Sequence, residues 1–65
     1  MEFHDRILDL RTKKGLTQKA TAEALGVTTR QYQRFENGEQ KPGYDNLIHL
    51  ADLFEVSLDY LTGRV

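Results

Sequence analysis

The sequence contains no cysteine, a single proline and no long hydrophobic run. Without cysteine, neither disulfide bonds nor thiol chemistry contribute, and a reducing cytoplasm is the expected compartment. No apolar stretch approaches the roughly 20 residues that a helix needs to cross a bilayer. The acid-containing N-terminus also has no signal-peptide pattern. We therefore expect an intracellular protein without a membrane anchor.

Catalytic and metal-binding patterns are missing as well. The 65 residues have room for one domain, placed over residues 1–65, and for no deep pocket. We find no nucleophile–base pair and no glycine loop of the phosphate-binding type. The histidines, His4 and His49, have no partners at ligand spacing. We therefore expect no enzyme, no metal, no cofactor and no small-molecule ligand.

Net charge is low but unevenly distributed. The chain totals −1, whereas residues 11–41 carry seven basic and three acidic residues, a net charge of +4. Residues 1–10 carry −2 and residues 42–65 carry −3. A nucleic-acid-binding surface is expected to be basic, so the central segment is where such a surface would lie. Its weak charge predicts binding that depends strongly on base contacts and on dimerisation.

The central segment, residues 17–38, has the pattern of two short helices joined by a tight turn. Thr17 is a suitable N-cap for the first helix, 17–25, and Gly26 is a suitable end. Thr28 is a suitable N-cap for the second, 28–36, in which Tyr32 and Phe35 lie three apart on one face. This pattern predicts a helix-turn-helix.

Apolar periodicity predicts three more helices. Phe3, Ile7 and Leu10 share one stripe of a helix over residues 2–14. A second stripe runs along residues 44–54 after the break at Pro42, and a short final helix follows Ser57. The expected fold is all-α, a compact five-helix bundle that contains the helix-turn-helix.

The chain resembles the helix-turn-helix domain of the phage Cro and repressor type, the Xre family. The resemblance is carried by Leu-Thr-Gln at 16–18, Leu-Gly-Val-Thr at 25–28, Arg-Phe-Glu-Asn-Gly at 34–38, Pro42 and the segment 47–64. It covers nearly the whole chain. Thr21, where the family usually has leucine, and Tyr32, where a small β-branched residue is common, depart from the pattern.

The third helix is the candidate recognition helix. With Tyr32 and Phe35 facing inward, its outward face is polar and free of acids, which suits contact with base edges. The resemblance implies base contacts from Thr29, Arg30 and Arg34. The candidates for contacts with the DNA backbone, or at the edge of the interface, are Gln18, Thr28, Gln31, Gln33, Asn37 and Lys41. We expect Glu39 to point away from phosphate.

The resemblance also implies a structural ion pair between Arg11 and Glu36. Leu58, Tyr60 and the tail to Val65 are candidate dimer contacts, and closure of a monomeric core explains them equally well. The predicted function is sequence-specific binding of double-stranded operator DNA, as a bacterial or phage-type transcriptional regulator associated with the nucleoid and acting as a homodimer. The alternative is a protein-interaction module, such as the antitoxin of a toxin–antitoxin pair.

Overall fold

The computed structural model describes residues 1–64, and this part of the chain contains five α-helices and no β-strand. The helices are α1 (Phe3–Lys13), α2 (Gln18–Leu25), α3 (Thr29–Glu36), α4 (Tyr44–Phe54) and α5 (Leu58–Thr62). The all-α class and the five predicted helices are confirmed. Val65, one of the candidate dimer residues, lies outside the described part.

Hydroxyl side chains cap the N-termini of three of the helices. Thr17 Oγ1 accepts a hydrogen bond from the backbone N–H of Ala20 at 2.9 Å. The hydroxyls of Thr28 and Ser57 accept equivalent bonds at the starts of α3 and α5, each at 3.0 Å. Each bond satisfies one amide that has no partner within its helix. The sequence thus sets these helix boundaries locally.

The core is formed by apolar side chains from all five helices. Its buried members are Ile7, Ala22, Leu25, Tyr32, Phe35, Leu50, Ala51, Phe54 and Leu61. The rings of Tyr32 and Phe35 pack edge to face, with centroids 6.3 Å apart. Because α3 contributes these two aromatic residues to the core, its other side is held rigidly at the surface.

The turn between α2 and α3 depends on one glycine and on small residues. Gly26 has φ +76°, a left-handed conformation that glycine adopts without a steric penalty. Ala22 is 1% exposed, and its small size lets α2 and α3 approach closely. Thr21 is also buried, and its hydroxyl donates to the Thr17 carbonyl at 2.9 Å. The Thr21 hydroxyl, at a position where the family usually has leucine, is therefore hydrogen-bonded although it is buried.

Within residues 1–64, no helix has the length and apolar character needed to cross a membrane. The same residues bring together no group of three or more histidine, cysteine, aspartate or glutamate side chains that could hold a metal ion.

Candidate nucleic-acid interface

The outward side of α3 presents polar side chains along the whole helix. Arg30, Gln33 and Arg34 are exposed, whereas Thr29 and Gln31 are half-buried. Neither Arg30 nor Arg34 has an ion-pair partner among residues 1–64. Their guanidinium groups are thus available to accepting atoms of a ligand, and guanine O6 and N7 are acceptors that arginine contacts in a bidentate manner.

Four of the candidate residues line one shallow depression. Arg30, Gln33, Arg34 and Asn37 border this space of about 250 Å³ at the C-terminal half of α3. We call it the α3 depression. The other five sequence-predicted contacts are not among its lining residues: Gln18, Thr28, Thr29, Gln31 and Lys41. The structure thus gathers part of the predicted set into one patch.

Glu39 also borders the α3 depression. The cause is the way α3 ends. Gly38, with φ +78°, donates to the Phe35 carbonyl at 3.4 Å, and the Glu39 N–H donates to the Arg34 carbonyl at 3.0 Å. This Schellman-type ending turns the chain back against the last turn of the helix. The backbone of Glu39 is therefore held directly beside Arg34.

The loop after α3 has a second anchor. The side-chain amide of Gln31 donates to Gln40 Oε1 at 3.1 Å, and the Gln40 N–H donates to the Arg34 carbonyl at 3.3 Å. Gln31, a predicted edge contact, thus bonds within the protein. Gln40 was not among the predicted site residues, since a glutamine in a polar loop carries no pattern of its own.

A buried ion pair ties α1 to the end of α3. Arg11 Nε donates to Glu36 Oε2. A second bond joins Arg11 Nη2 to Glu36 Oε1 at 3.1 Å, and Arg11 Nη1 donates to the Leu16 carbonyl at 2.7 Å. The two side chains are 12% and 4% exposed. This bidentate arrangement is the pairing that the family resemblance implied.

The environment of the pair determines its protonation. Burial disfavours the charged form of Glu36, but the hydrogen bonds from Arg11 and Gln18 outweigh burial and hold the pKa of Glu36 below its usual value. The hydrogen bond to Glu36 raises the pKa of Arg11. Burial, reinforced by the nearby Glu36 carboxylate, raises the pKa of the Tyr32 hydroxyl, which has no hydrogen-bond partner within residues 1–64. At neutral pH the pair is fully charged and Tyr32 is neutral.

Gln18 connects this pair to the exposed side of α3. Its side-chain N–H donates to Glu36 Oε1 at 3.0 Å, and its carbonyl oxygen accepts from Gln33 Nε2 at 3.2 Å. Three helices therefore meet in one network of hydrogen bonds, running from Arg11 to Gln33. The exposed side chain of Gln33 is thereby joined to the buried ion pair. The glutamine spacing alone gave no sign of this connection.

Lys41 is exposed but lies away from the α3 depression. It borders a separate cavity near the start of α1, together with His4 and Gly38. A Cβ added at Gly38 would lie 3.0 Å from His4 Nδ1, so the imidazole packs directly on the loop backbone. The N-terminal turn of α1 therefore supports the loop between α3 and α4.

The two candidate dimer residues in the described part differ in exposure. Leu58 is half-buried and packs against the core. Tyr60 is 38% exposed, and the Arg6 guanidinium lies over its ring, 4.7 Å from the centroid. Both side chains thus have contacts within the chain, and only Tyr60 presents substantial apolar surface.

Comparison with known proteins places this geometry in a family. A family model described as helix-turn-helix matches residues 7–61. The cryptic phage CTXphi transcriptional repressor RstR of Vibrio cholerae is 34% identical over 64 residues, which are 98% of this chain and 57% of RstR. The chain spans about half the length of the curated relatives it matches.

Solved structures agree with this result. A transcriptional regulator from Listeria innocua superposes with a TM-score of 0.92 and 38% identity, over 98% of this chain and 60% of that one. The P22 c2 repressor, solved in complex with a synthetic operator, superposes with a TM-score of 0.88 and 30% identity, over 94% of this chain and 92% of that one. The chain belongs to the helix-turn-helix family and has the fold of the phage-repressor type of domain.

Proposed function

We propose that this domain binds double-stranded DNA sequence-specifically as a transcriptional regulator, with α3 in the major groove. The observation that carries the proposal is the outward side of α3, where Arg30 and Arg34 are exposed without ion-pair partners among residues 1–64. The likeness to a repressor solved on an operator supports it. Such a role needs no catalytic chemistry, and it places the protein in the cytoplasm at the nucleoid.

In this proposal one set of residues contacts the bases and reads the sequence, and a second set positions the domain on the duplex. Thr29, Arg30 and Arg34 contact base edges in the major groove. The second set contacts the DNA backbone or lies at the edge of the interface: Gln18, Thr28, Gln31, Gln33, Asn37 and Lys41. Phosphate contacts fix orientation on the duplex and carry no sequence information directly.

The ion pair of Arg11 and Glu36 acts indirectly. It holds α1 against the end of α3, and through Gln18 it orients Gln33. A rigid contact surface loses less conformational entropy on binding. The pair therefore contributes to the shape of the interface without touching DNA.

We further propose that the active form is a two-fold dimer. A single α3 reads only a few base pairs, and family members of this architecture bind half-sites about 34 Å apart, one helical turn. The exposed ring of Tyr60 is a candidate contact between the two copies. Leu58, which packs against the core, is the second candidate.

The direct test compares Arg34→Ala with Lys13→Ala, a control that removes an exposed cation that does not border the α3 depression. Each variant is titrated against an operator duplex obtained by selection. We expect Arg34→Ala to weaken binding on the order of tenfold to a hundredfold, corresponding to about 1–3 kcal/mol for one base contact. Lys13→Ala should bind almost as well as the unchanged protein.

Circular dichroism spectra of both variants should match that of the unchanged protein, because neither residue is in the core. Unchanged operator affinity of Arg34→Ala, with an unchanged salt dependence, would remove Arg34 from the interface. A stable complex with a protein partner, together with no measurable DNA binding, would instead favour the protein-interaction alternative.

A further inference from the structure

An acid borders the surface on which the proposed DNA contact depends. The residues that line the α3 depression are two cationic ones, Arg30 and Arg34, two with amide side chains, Gln33 and Asn37, and one acidic one, Glu39. Among residues 1–64, no ion pair joins Glu39 to either arginine. The carboxylate therefore reduces the charge of this patch from +2 to +1 without being neutralised by a direct partner.

The position of Glu39 is set by the fold. Its N–H bonds to the Arg34 carbonyl, and the left-handed Gly38 before it fixes the direction of the chain. Gln40, which follows, is bonded to Gln31. These bonds on both sides leave Glu39 little freedom to move its backbone away from the end of α3.

The length of α3 determines which part of the DNA lies beside its C-terminal end. Eight residues span about 12 Å, which is about the width of the major groove. If the N-terminal part of α3 enters the groove, its C-terminal end lies at the edge of the groove, near phosphates. A carboxylate only accepts hydrogen bonds, and a phosphate has no donor to offer it.

We propose that Glu39 is a specificity-determining residue that disfavours contact of this surface with phosphate and so weakens binding to non-operator DNA more than binding to the operator. This inference rests on the proposed function. Non-operator binding comes almost entirely from phosphate contacts. On non-operator DNA, Arg30 and Arg34 therefore contact phosphates, and Glu39 beside them lies close to the same phosphates. On the operator the same arginines contact bases, and the carboxylate is farther from phosphate.

The test uses Glu39→Gln, which keeps the size of the side chain and removes its charge. Asp52→Asn is the matched control, because Asp52 is an exposed carboxylate on α4 that does not border the α3 depression. Each protein is first put through selection from a random duplex pool. Affinities for the selected operator and for a scrambled duplex are then measured over a range of salt concentrations.

For Glu39→Gln we expect non-operator affinity at low salt to rise about fivefold, the factor for one unit-charge repulsion at close range in water. The salt slope on the scrambled duplex should become steeper by up to about one unit. Operator affinity should change less than twofold, so the ratio of the two affinities falls about fivefold. Asp52→Asn should leave this ratio unchanged.

Two results would overturn the role of Glu39 while leaving the proposed function intact. One is an equal gain on both duplexes, which would show a general effect of net charge. The other is a changed base preference at one operator position, which would show that Glu39 contacts a base. Absence of any selected operator for the unchanged, folded protein would overturn this inference and the proposed function together.

Discussion

Arg11 and Glu36 show how a single pair of residues supports a surface that it does not form. The pair is almost completely buried, and its hydrogen bonds reach the Leu16 carbonyl and Gln18. A buried ion pair adds little stability compared with well-packed apolar residues, but loss of one partner leaves an uncompensated charge. The contribution of the pair here is to hold α1, α2 and α3 in a fixed arrangement.

The first prediction concerns this asymmetry. Arg11→Met should lower the free energy of unfolding by about 3–5 kcal/mol, because the Glu36 charge stays buried. The double substitution with Glu36→Met should cost clearly less than Arg11→Met alone. Circular dichroism without denaturant measures the folded fraction of each variant, and urea unfolding measures the stability of the double variant.

A domain of this size has little stability to spare, so Arg11→Met is expected to be largely unfolded in water. Recovery of helical signal in the double variant is then the decisive observation. A double variant that is less stable than both single variants would contradict the account of the pair.

The second prediction concerns acid. Because the pKa of Glu36 is lower in the folded state than in the unfolded state, its contribution is complete above the unfolded pKa of about 4.3. That contribution is lost as the pH falls through the lower folded pKa. The unchanged protein should therefore lose stability as the pH falls below about 4.3, and Glu36→Gln should show a shallower loss.

Glu55→Gln provides the control for the acid experiment. Glu55 forms an exposed ion pair with Lys14, at 2.6 Å, at the surface between α1 and the turn after α4. Exposed pairs contribute little, so this variant should follow the pH profile of the unchanged protein. A Glu36→Gln profile as steep as that of Glu55→Gln would show that Glu36 does not control acid sensitivity.

At the scale of helices, local signals decide where each element begins and ends. The caps at Thr17, Thr28 and Ser57 and the stop at Gly26 were all visible in the sequence, and the structure has helix boundaries within one residue of the predicted ones. These signals act between neighbouring residues. A reader of the sequence can therefore find them without knowing the tertiary fold.

Side-chain contacts between elements were less predictable. The core role of Tyr32 followed from its helical spacing, and the pairing of Arg11 with Glu36 followed from the family resemblance. The resemblance also implies that Gln18 steadies a side chain of the next helix, as its bond with Gln33 does. The bond from Gln18 to Glu36 and the place of Glu39 beside the α3 depression followed from neither source. Both depend on how three elements meet, and an isolated glutamine or glutamate carries no periodic signal.

The third prediction concerns the loop that follows α3. Gly38→Ala should cost more stability than Gly15→Ala, although both glycines have positive φ. The left-handed backbone costs about 1–2 kcal/mol for an alanine at either site. Only at Gly38 does the new Cβ also meet a side chain, with His4 Nδ1 at 3.0 Å, whereas nothing lies within 4 Å at Gly15.

Thermal unfolding of the two alanine variants measures this difference. In a His4→Ala background the two glycine substitutions should become similar in cost, because the imidazole is gone. A difference that persists in that background would contradict a role for the contact between His4 and the loop.

The fourth prediction concerns the crossing of α2 and α3. Ala22→Leu should destabilise the domain by about 1–3 kcal/mol, because Ala22 is 1% exposed and has no room for a larger side chain. Ala24→Leu, at an exposed position of the same helix, should change stability by less than about 0.5 kcal/mol. Equal effects of both substitutions in urea unfolding would contradict close packing at this crossing.

At the scale of the whole molecule, the charge is distributed unevenly along the chain. The net charge is −1, yet the segment that contains the helix-turn-helix carries +4 and the flanking segments are acidic. Within that segment Glu36 is neutralised by Arg11, whereas Glu39 remains at the surface. A weakly charged contact surface binds DNA in general poorly, so the proposed function relies on base contacts and on the joining of two half-sites by a dimer.

The central claim is that this surface reads a DNA sequence, and selection of bound duplexes from a random pool tests it most directly. Affinity of the selected duplex is then followed against salt concentration. We predict enrichment of a two-fold symmetric sequence whose half-sites lie about one helical turn apart, with affinity that falls steeply as salt rises. A pool that shows no enrichment with folded protein would contradict the claim.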